Sequence, residues 1–361
     1  MPHLVCIISD QAVPNLLFIR QFSQPDSEFF FVTTQKMEDR DATDHLIQAL
    51  HLPHDKCYKI IIDANNAKQI DQQLKAFPFP KESSFLVNIT GGNKLMSQMV
   101  FTHFQGYDSS MFYSPIDSDQ YQQVYPEVIN IQKDQSIKLT LDEYLFAYGY
   151  EITGELPYFK GNPKPTTLFK KVVESGGASH VAEIVRASSQ DYKEEDKNYL
   201  QGNWFEFYCY QFFKRIFRLG DAQIGCSVGL KKIGSQTVNQ HDNEFDLMFI
   251  YQNDLYVFEC KVYSSPNYKK EKFQAPMYKL ASLTQKFGLK CKKYLAILAE
   301  LPEQEDTRDQ LGQLRANLGI DKLITLEDFK NHQGIEILKR EESEKPDFQE
   351  KLNLLMEKFN G

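Results

Sequence analysis

The sequence predicts an α/β protein of two domains: a Rossmann-like N-terminal domain built on a parallel sheet, then a second α/β domain at the C-terminal end. Three observations predict it. The chain has 361 residues, more than one ordinary core holds. Short continuous apolar runs alternate with helix-spaced segments through the first third, the pattern of a parallel sheet covered on both faces. Two runs rich in aromatic and β-branched residues, 243–250 and 255–263, flank a polar turn and predict a hairpin.

Leu4–Ile8 is the first buried strand, and Leu16–Phe22 follows at helical spacing. Phe29–Thr33 is a strand, Asp41–Leu50 a helix, Tyr58–Ile62 a strand and Ala67–Phe77 a helix. Phe85–Ile89 is a strand leading into a helix over Leu95–Phe104, and Met111–Ser114 is one more strand. In such sheets ligands bind beyond the carboxyl ends of the strands. Two polar loops fall there: Ser9–Asn15 and Thr90-Gly91-Gly92-Asn93-Lys94. The second presents backbone amides, a helix N-terminus and a lysine to a phosphate, or is a Gly-Gly turn with no ligand. Neither GxxxxGK[ST] nor GxGxxG is present.

Asp10-Gln11 with Pro14-Asn15 after the first strand, and Asn88-x-Thr90-Gly91-Gly92-Asn93-Lys94-x-Met96 after the fourth, resemble the CARF domain, the cyclic-oligoadenylate sensor of type III CRISPR systems. The resemblance covers residues 1–140. It implies a homodimer enclosing one cyclic tetra-adenylate activator. Asp10, Gln11, Pro14, Asn15, Thr90, Gly91, Gly92, Asn93 and Lys94 would form the cradle.

Residues 141–197 read as a helical connector. Leu141–Tyr150, Thr167–Glu174 and His180–Ala187 are helical, with breaks at Gly161–Pro165 and Gly176-Gly177 and a solvated hinge at 191–197. A reduced winged-helix-like module is one reading of this span. Gly202-Asn203-Trp204-Phe205-Glu206 opens a strongly aromatic helix running to about Phe217, with Glu206 at the margin of its apolar stripe. Ile224–Leu230 is a strand, and His241 lies in a polar loop.

In the hairpin, a two-residue turn at Asn253-Asp254 sets Asp246 opposite Lys261 and Met248 opposite Glu259. Glu259 and Lys261 then share a face with Asp246. Three charges on apolar strands are either an ion pair on a wet face of the sheet or a divalent-metal site. The arrangement resembles the PD-(D/E)xK nuclease superfamily: an acid on one strand, acid-x-Lys on the next and an acid on a preceding helix. Phe245 stands where that motif's proline would be. The resemblance implies a restriction-endonuclease-like domain over residues 198–361, with Glu206, Asp246, Glu259 and Lys261 catalytic. Glu206, Asp246, Glu259 and the Cys260 carbonyl would hold Mn²⁺ or Mg²⁺. The substrate would be DNA, with RNA as the second candidate.

Downstream, Ser264–Lys272 reads as a basic loop, Met277–Phe287 as a helix whose Tyr278, Lys279 and Gln285 touch substrate or support the site, and Tyr294–Leu298 as a strand. Leu301–Gly361 reads as an acidic helical tail, 9 Lys+Arg against 14 Asp+Glu. Charge is uneven: residues 1–140 hold 11 Lys+Arg and 16 Asp+Glu, net −5, whereas 198–300 hold 14 and 9, net +5. The segment with the acid-x-Lys pattern is thus the basic part of an acidic chain. No apolar run approaches 18 residues, so no membrane span is expected. The N-terminus lacks a basic signal region. Six cysteines without a CxxC pair point to a reducing cytoplasm. Two rival functions fit the motifs less fully: a nucleotide-sensing regulator with an inactive nuclease-like domain, and a ligand-independent restriction-type endonuclease.

Overall fold

The computed structural model of the chain describes residues 2–116, 118–153, 165–174, 199–234, 244–263, 271–298 and 304–330. The expected helix at His180–Ala187, the 191–197 hinge, His241, most of the 264–272 loop and the tail beyond Lys330 lie outside the described residues. The chain divides into two compact units. One comprises Met1–Ile152, Lys231–Thr237 and Lys286–Lys290, and the other Thr153–Leu230, Val238–Gln285 and Cys291–Gly361.

The first unit contains β1 (His3–Ile7), α1 (Val13–Phe22), β2 (Phe29–Thr33), α2 (Gln35–Glu38), α3 (Ala42–Ala49), β3 (Cys57–Ile61), α4 (Ala67–Ala76), β4 (Ser84–Asn88), α5 (Lys94–Phe104) and β5 (Asp108–Tyr113). β6 (Gln120–Tyr125), β7 (Ile129–Gln132) and α6 (Leu141–Ala147) complete it. Its sheet runs β3-β2-β1-β4-β5-β6-β7, parallel from β3 to β5 and antiparallel at β5-β6-β7. β1 and β2 are apolar and buried almost throughout, as strands covered on both faces must be. Val5, Ile7, Phe30, Phe85, Val87, Val100 and Phe104 form one continuous core.

The strand order reverses between β1 and β4. The loops after these two strands therefore flank the topological switch point, where doubly wound sheets bind ligands. α1 begins at Val13, one turn earlier than its apolar spacing indicates, with Pro14 in the first turn where its missing N–H is no loss. The hairpin β6-β7 escapes sequence reading because Gln120–Tyr125 is mostly polar and Ile129–Gln132 is largely exposed.

The second unit holds α7 (Pro165–Glu174), α8 (Trp204–Ile216), β9 (Ile224–Lys232), β10 (Glu244–Tyr251), β11 (Asp254–Val262), α9 (Glu271–Thr284), β12 (Cys291–Leu298), α10 (Glu305–Asn317), β13 (Lys322–Ile324) and α11 (Leu326–Lys330). β8 (Tyr150–Thr153) follows α6, and the sheet of the second unit runs β13-β12-β11-β10-β9. β9, β10 and β11 form an antiparallel meander, and β12 and β13 add parallel to β11. Phe213 of α8 packs on Phe258 with centroids 4.6 Å apart, and Phe258 stacks on Tyr294 at 4.9 Å. This aromatic layer clamps α8 to the two central strands.

α9 starts at Glu271 rather than Met277, because the helix tolerates Pro276 in its interior. A proline leaves the carbonyl four residues back without its helical partner, here that of Lys272. The Tyr263 hydroxyl donates to that oxygen at 2.6 Å and fills the gap.

Candidate active site and ligand crevice

The β10-β11 turn is Gln252-Asn253, one position earlier than the sequence reading placed it. Both residues have positive φ (51° and 66°), the geometry of a tight hairpin. Tyr251 pairs with Asp254, and the ladder continues to Leu247 opposite Phe258. Extending that register by one residue brings Asp246 opposite Glu259. The expected pairings, Asp246 with Lys261 and Met248 with Glu259, are therefore corrected: Met248 faces Val257. The displacement is two residues, an even number, so every side chain keeps its face.

The cluster forms. Lys261 Nζ lies 2.7 Å from Glu259 Oε1 and 3.0 Å from Asp246 Oδ2. Asp246 Oδ2 also accepts the Cys260 backbone N–H at 2.7 Å, a carboxylate replacing a carbonyl where the ladder ends. On α9, Lys279 Nζ donates to Glu259 at 2.9 and 3.0 Å, so both carboxylate oxygens are engaged. Asp246 is 7% exposed and Glu259 2%. A wet outer face of the sheet is excluded. Two buried carboxylates are held by two half-exposed lysines.

Glu206 approaches the cluster from the first turn of α8. Burial first, then the Asp246 charge, push its carboxyl up to about 8. Burial and then Glu259 raise Asp246 as well, partly offset by Lys261 and the Cys260 amide. Burial alone would lower Lys261, but Asp246 and Glu259 outweigh it and hold the ammonium protonated far above neutral pH. The cluster thus carries more carboxyl groups than its lysines neutralise. Three carboxyl groups, one of them held protonated near neutral pH and able to give up its proton to a bound cation, fit a hard divalent ion. Among the described residues, no three His, Cys, Asp or Glu side chains already stand as a metal cage, and Lys261 stands between Asp246 and Glu259. Cys260 is buried, and a hydrogen bond with Cys209 followed by burial raises its thiol well above the usual range. Its thiol is therefore not a nucleophile, and only its backbone carbonyl can serve as a donor to the site.

Ser227 of β9 was not legible as a site residue. Its Oγ donates to Glu206 Oε2 at 3.2 Å, and its φ of 51° is unusual for a non-glycine strand residue. Its side chain is an ordinary strand serine, so only the observed strain marks it. Tyr278, next to Lys279, is 54% exposed, and Gln285 is exposed.

At the switch point of the first unit, side chains of the predicted cradle divide into two groups. Asn15 is buried: its Nδ2 donates to Ile7 O at 3.0 Å and its Oδ1 accepts from Asn88 Nδ2 at 2.8 Å. Asn88 Oδ1 accepts from the Thr90 amide at 3.1 Å and its hydroxyl at 2.6 Å, and Thr90 Oγ1 accepts the Ser114 amide at 2.8 Å. Asn15 and Thr90 therefore lock the ends of β1, β4 and β5 together. Gly91 is required by sterics, since a Cβ there would lie 2.1 Å from Ile7 O. Gly92 has φ +74°. Asn93 caps α5 by accepting the Met96 amide at 2.9 Å, and its Nδ2 donates to Ala64 O at 2.7 Å. Gly92, Asn93 and Lys94 are exposed at the helix N-terminus, where backbone donors and a cation face outward. Asp10 is exposed, while Gln11 and Pro14 are half-buried; the Gln11 amide donates to Ser9 Oγ at 3.2 Å.

Residues 3–144 match the family model for the Card1 CARF domain, and residues 193–332 match that for the Card1-like endonuclease domain. The chain joins a Card1-type CARF domain to a Card1-like endonuclease domain. The CARF match spans the switch-point crevice, and the endonuclease match spans the carboxylate–lysine cluster. The fold is similar to Can2 from Sulfobacillus thermosulfidooxidans, solved in complex with cyclic tetra-adenylate (TM-score 0.68, 17% identity, 93% of this chain and 99% of that one). It is equally similar to protein VC1899 from Vibrio cholerae (TM-score 0.68, 18% identity, 93% and 97%). A type III CRISPR defence DNA nuclease activated by cyclic oligoadenylate aligns over 85% of this chain and 47% of its own (TM-score 0.55, 15% identity). A search of the curated proteins finds no match. Among the described residues no helix is long and apolar enough to cross a membrane.

Proposed function

We propose that this chain is a cyclic-tetra-adenylate-activated, metal-dependent nuclease of type III CRISPR defence that hydrolyses phosphodiester bonds of DNA, with RNA as the second candidate substrate. The observation that carries the reading is the buried Asp246–Lys261–Glu259 cluster with Glu206 beside it. It sits in a chain whose other unit places the glycine-containing Thr90–Lys94 loop at a topological switch point. The Can2 structure holding cyclic tetra-adenylate, and the DNA nuclease activated by cyclic oligoadenylate, support the choice of activator.

Asp246, Glu259, Glu206 and the Cys260 carbonyl would hold Mn²⁺ or Mg²⁺, which when bound supplies charge stabilisation at the scissile phosphate. Lys261 remains an ammonium between two carboxylates. It can therefore orient a water or donate to a phosphate oxygen, and it does not act as a base. Lys279 fixes both oxygens of Glu259 and so sets the direction of its lone pairs. Ser227 holds Glu206 Oε2 by a hydrogen bond and so restrains the carboxyl beside the cluster. In the CARF domain, the α5 N-terminus with Gly92, Asn93 and Lys94 would receive a phosphate. A ring of two-fold symmetry suits two identical crevices, hence a homodimer. The reducing environment implied by six free cysteines fits a cytoplasmic enzyme.

Separation of function tests this. Glu259→Ala and Lys261→Ala should abolish cleavage and leave cyclic tetra-adenylate binding intact, whereas Lys94→Ala should weaken binding. Cleavage by Lys261→Ala at the wild-type rate would overturn the assignment.

A further inference from the structure

The rim of the crevice carries an ion pair that the cradle residues do not account for. Asp10, just beyond the end of β1, accepts a hydrogen bond from Arg40 Nη1 at 2.7 Å. Arg40 follows α2, beyond the end of β2, the strand paired with β1. Both side chains are open to solvent, 64% for Asp10 and 52% for Arg40.

A carboxylate at the mouth of an anion site is a liability, since it repels the phosphates the site is meant to receive. The surrounding sequence makes this worse, because residues 1–140 carry a net charge of −5. Each cation at the rim therefore matters. Lys59, at the far strand, is already committed to Glu38 and Asp44, both at 2.8 Å. Among the described residues Arg40 is held by this exposed ion pair, the weakest kind, screened by salt and easily exchanged. Its guanidinium offers five donors in a planar fork that matches phosphate.

We propose that Arg40 is a phosphate-binding residue of the crevice, and that Asp10 is its resting counter-ion rather than a contact for the ligand. On binding, a phosphate of the cyclic oligoadenylate takes the place of the Asp10 carboxylate on the guanidinium. This rests on the reading that the crevice binds such a ring, and it gives Asp10 a role opposite to the one its motif position implies.

The test is titration of cyclic tetra-adenylate into the full-length wild type, Arg40→Ala, Arg40→Lys, Asp10→Asn and the Arg40→Ala/Asp10→Asn pair, at low and at physiological salt. Melting of each unliganded protein checks folding. Arg40→Ala should bind about 10- to 100-fold more weakly, the worth of charge-assisted hydrogen bonds. Its salt dependence should be shallower than that of wild type. Arg40→Lys should fall between. Asp10→Asn should bind tighter, by about 1.5- to 5-fold, the worth of an exposed ion pair, and the double variant should stay well below Asp10→Asn because its guanidinium is gone. Wild-type affinity in Arg40→Ala, or loss of affinity in Asp10→Asn, would overturn this assignment while leaving the crevice itself intact. Failure of the wild type to bind the ring would instead overturn the ligand reading, and this proposal with it.

Discussion

Lys261→Met is the perturbation that interrogates the carboxylate cluster most fully. It keeps the length and packing of the aliphatic stem and removes only the ammonium. Asp246 and Glu259, 7% and 2% exposed, then lose the cation 3.0 and 2.7 Å away. Removing one partner of a buried pair costs about 3–5 kcal/mol. Lys261 is 31% exposed and Lys279 still holds Glu259, so the lower end, about 3 kcal/mol, applies. For a domain of this size that is a fall of about 6–12 °C in Tm. The assay is thermal melting of metal-free protein at pH 8 and at pH 5. Asp246, already raised by burial, takes up a proton at the lower pH once its cation is gone. The loss should therefore be full at pH 8 and shrink at pH 5. Millimolar Mn²⁺ should stabilise the variant more than the wild type, because it replaces the missing charge. An unchanged Tm at pH 8, or an equal loss at both pH values, would refute the reasoning.

Two further outcomes follow from other parts of the molecule. Gly91→Ala places a Cβ 2.1 Å from Ile7 O, so β1 and the β4 loop must move apart; ring binding measured calorimetrically should be lost or fall at least about 100-fold, with cleavage chemistry damaged only through lost activation. Glu206 is pushed up to about 8 in the folded protein from an ordinary carboxyl value of 4.5. Between those values the folded state binds more protons than the unfolded state, so stability must fall as pH rises. Metal-free wild type should lose Tm between pH 5 and pH 8, and Glu206→Gln should flatten that slope; a slope unaffected by the substitution would contradict the assignment.

Most of the architecture was legible because its signals are strong. β1 and β2 are unbroken apolar runs, and the loops after β1 and β4 stand out as polar interruptions with glycines. The face shared by Asp246, Glu259 and Lys261 was legible although their register was not. Face depends only on the parity of the alignment, whereas register depends on which residues adopt positive φ in the turn. Turn-residue preference favours Asn253-Asp254, and the backbone uses Gln252-Asn253. The sequence reading starts α9 at Met277, whereas the helix begins at Glu271 and the Tyr263 hydroxyl satisfies the Lys272 carbonyl that Pro276 leaves without a helical partner. Polar β6-β7 has no apolar period to betray it. Ser227 and Arg40 carry no motif; each is marked by a single three-dimensional fact, a strained φ in one case and an ion pair between distant loops in the other.

The claim beneath all of this is that one chain converts occupancy of the switch-point crevice into phosphodiester hydrolysis at Asp246, Glu259 and Lys261. The direct measurement is the initial rate of cleavage of plasmid, single-stranded DNA and RNA as cyclic tetra-adenylate is titrated at fixed Mn²⁺. A saturable rise whose midpoint matches the ring's Kd, absent in Glu259→Ala, is the expected result. A rate indifferent to the ring, or retained in Glu259→Ala, would contradict the account.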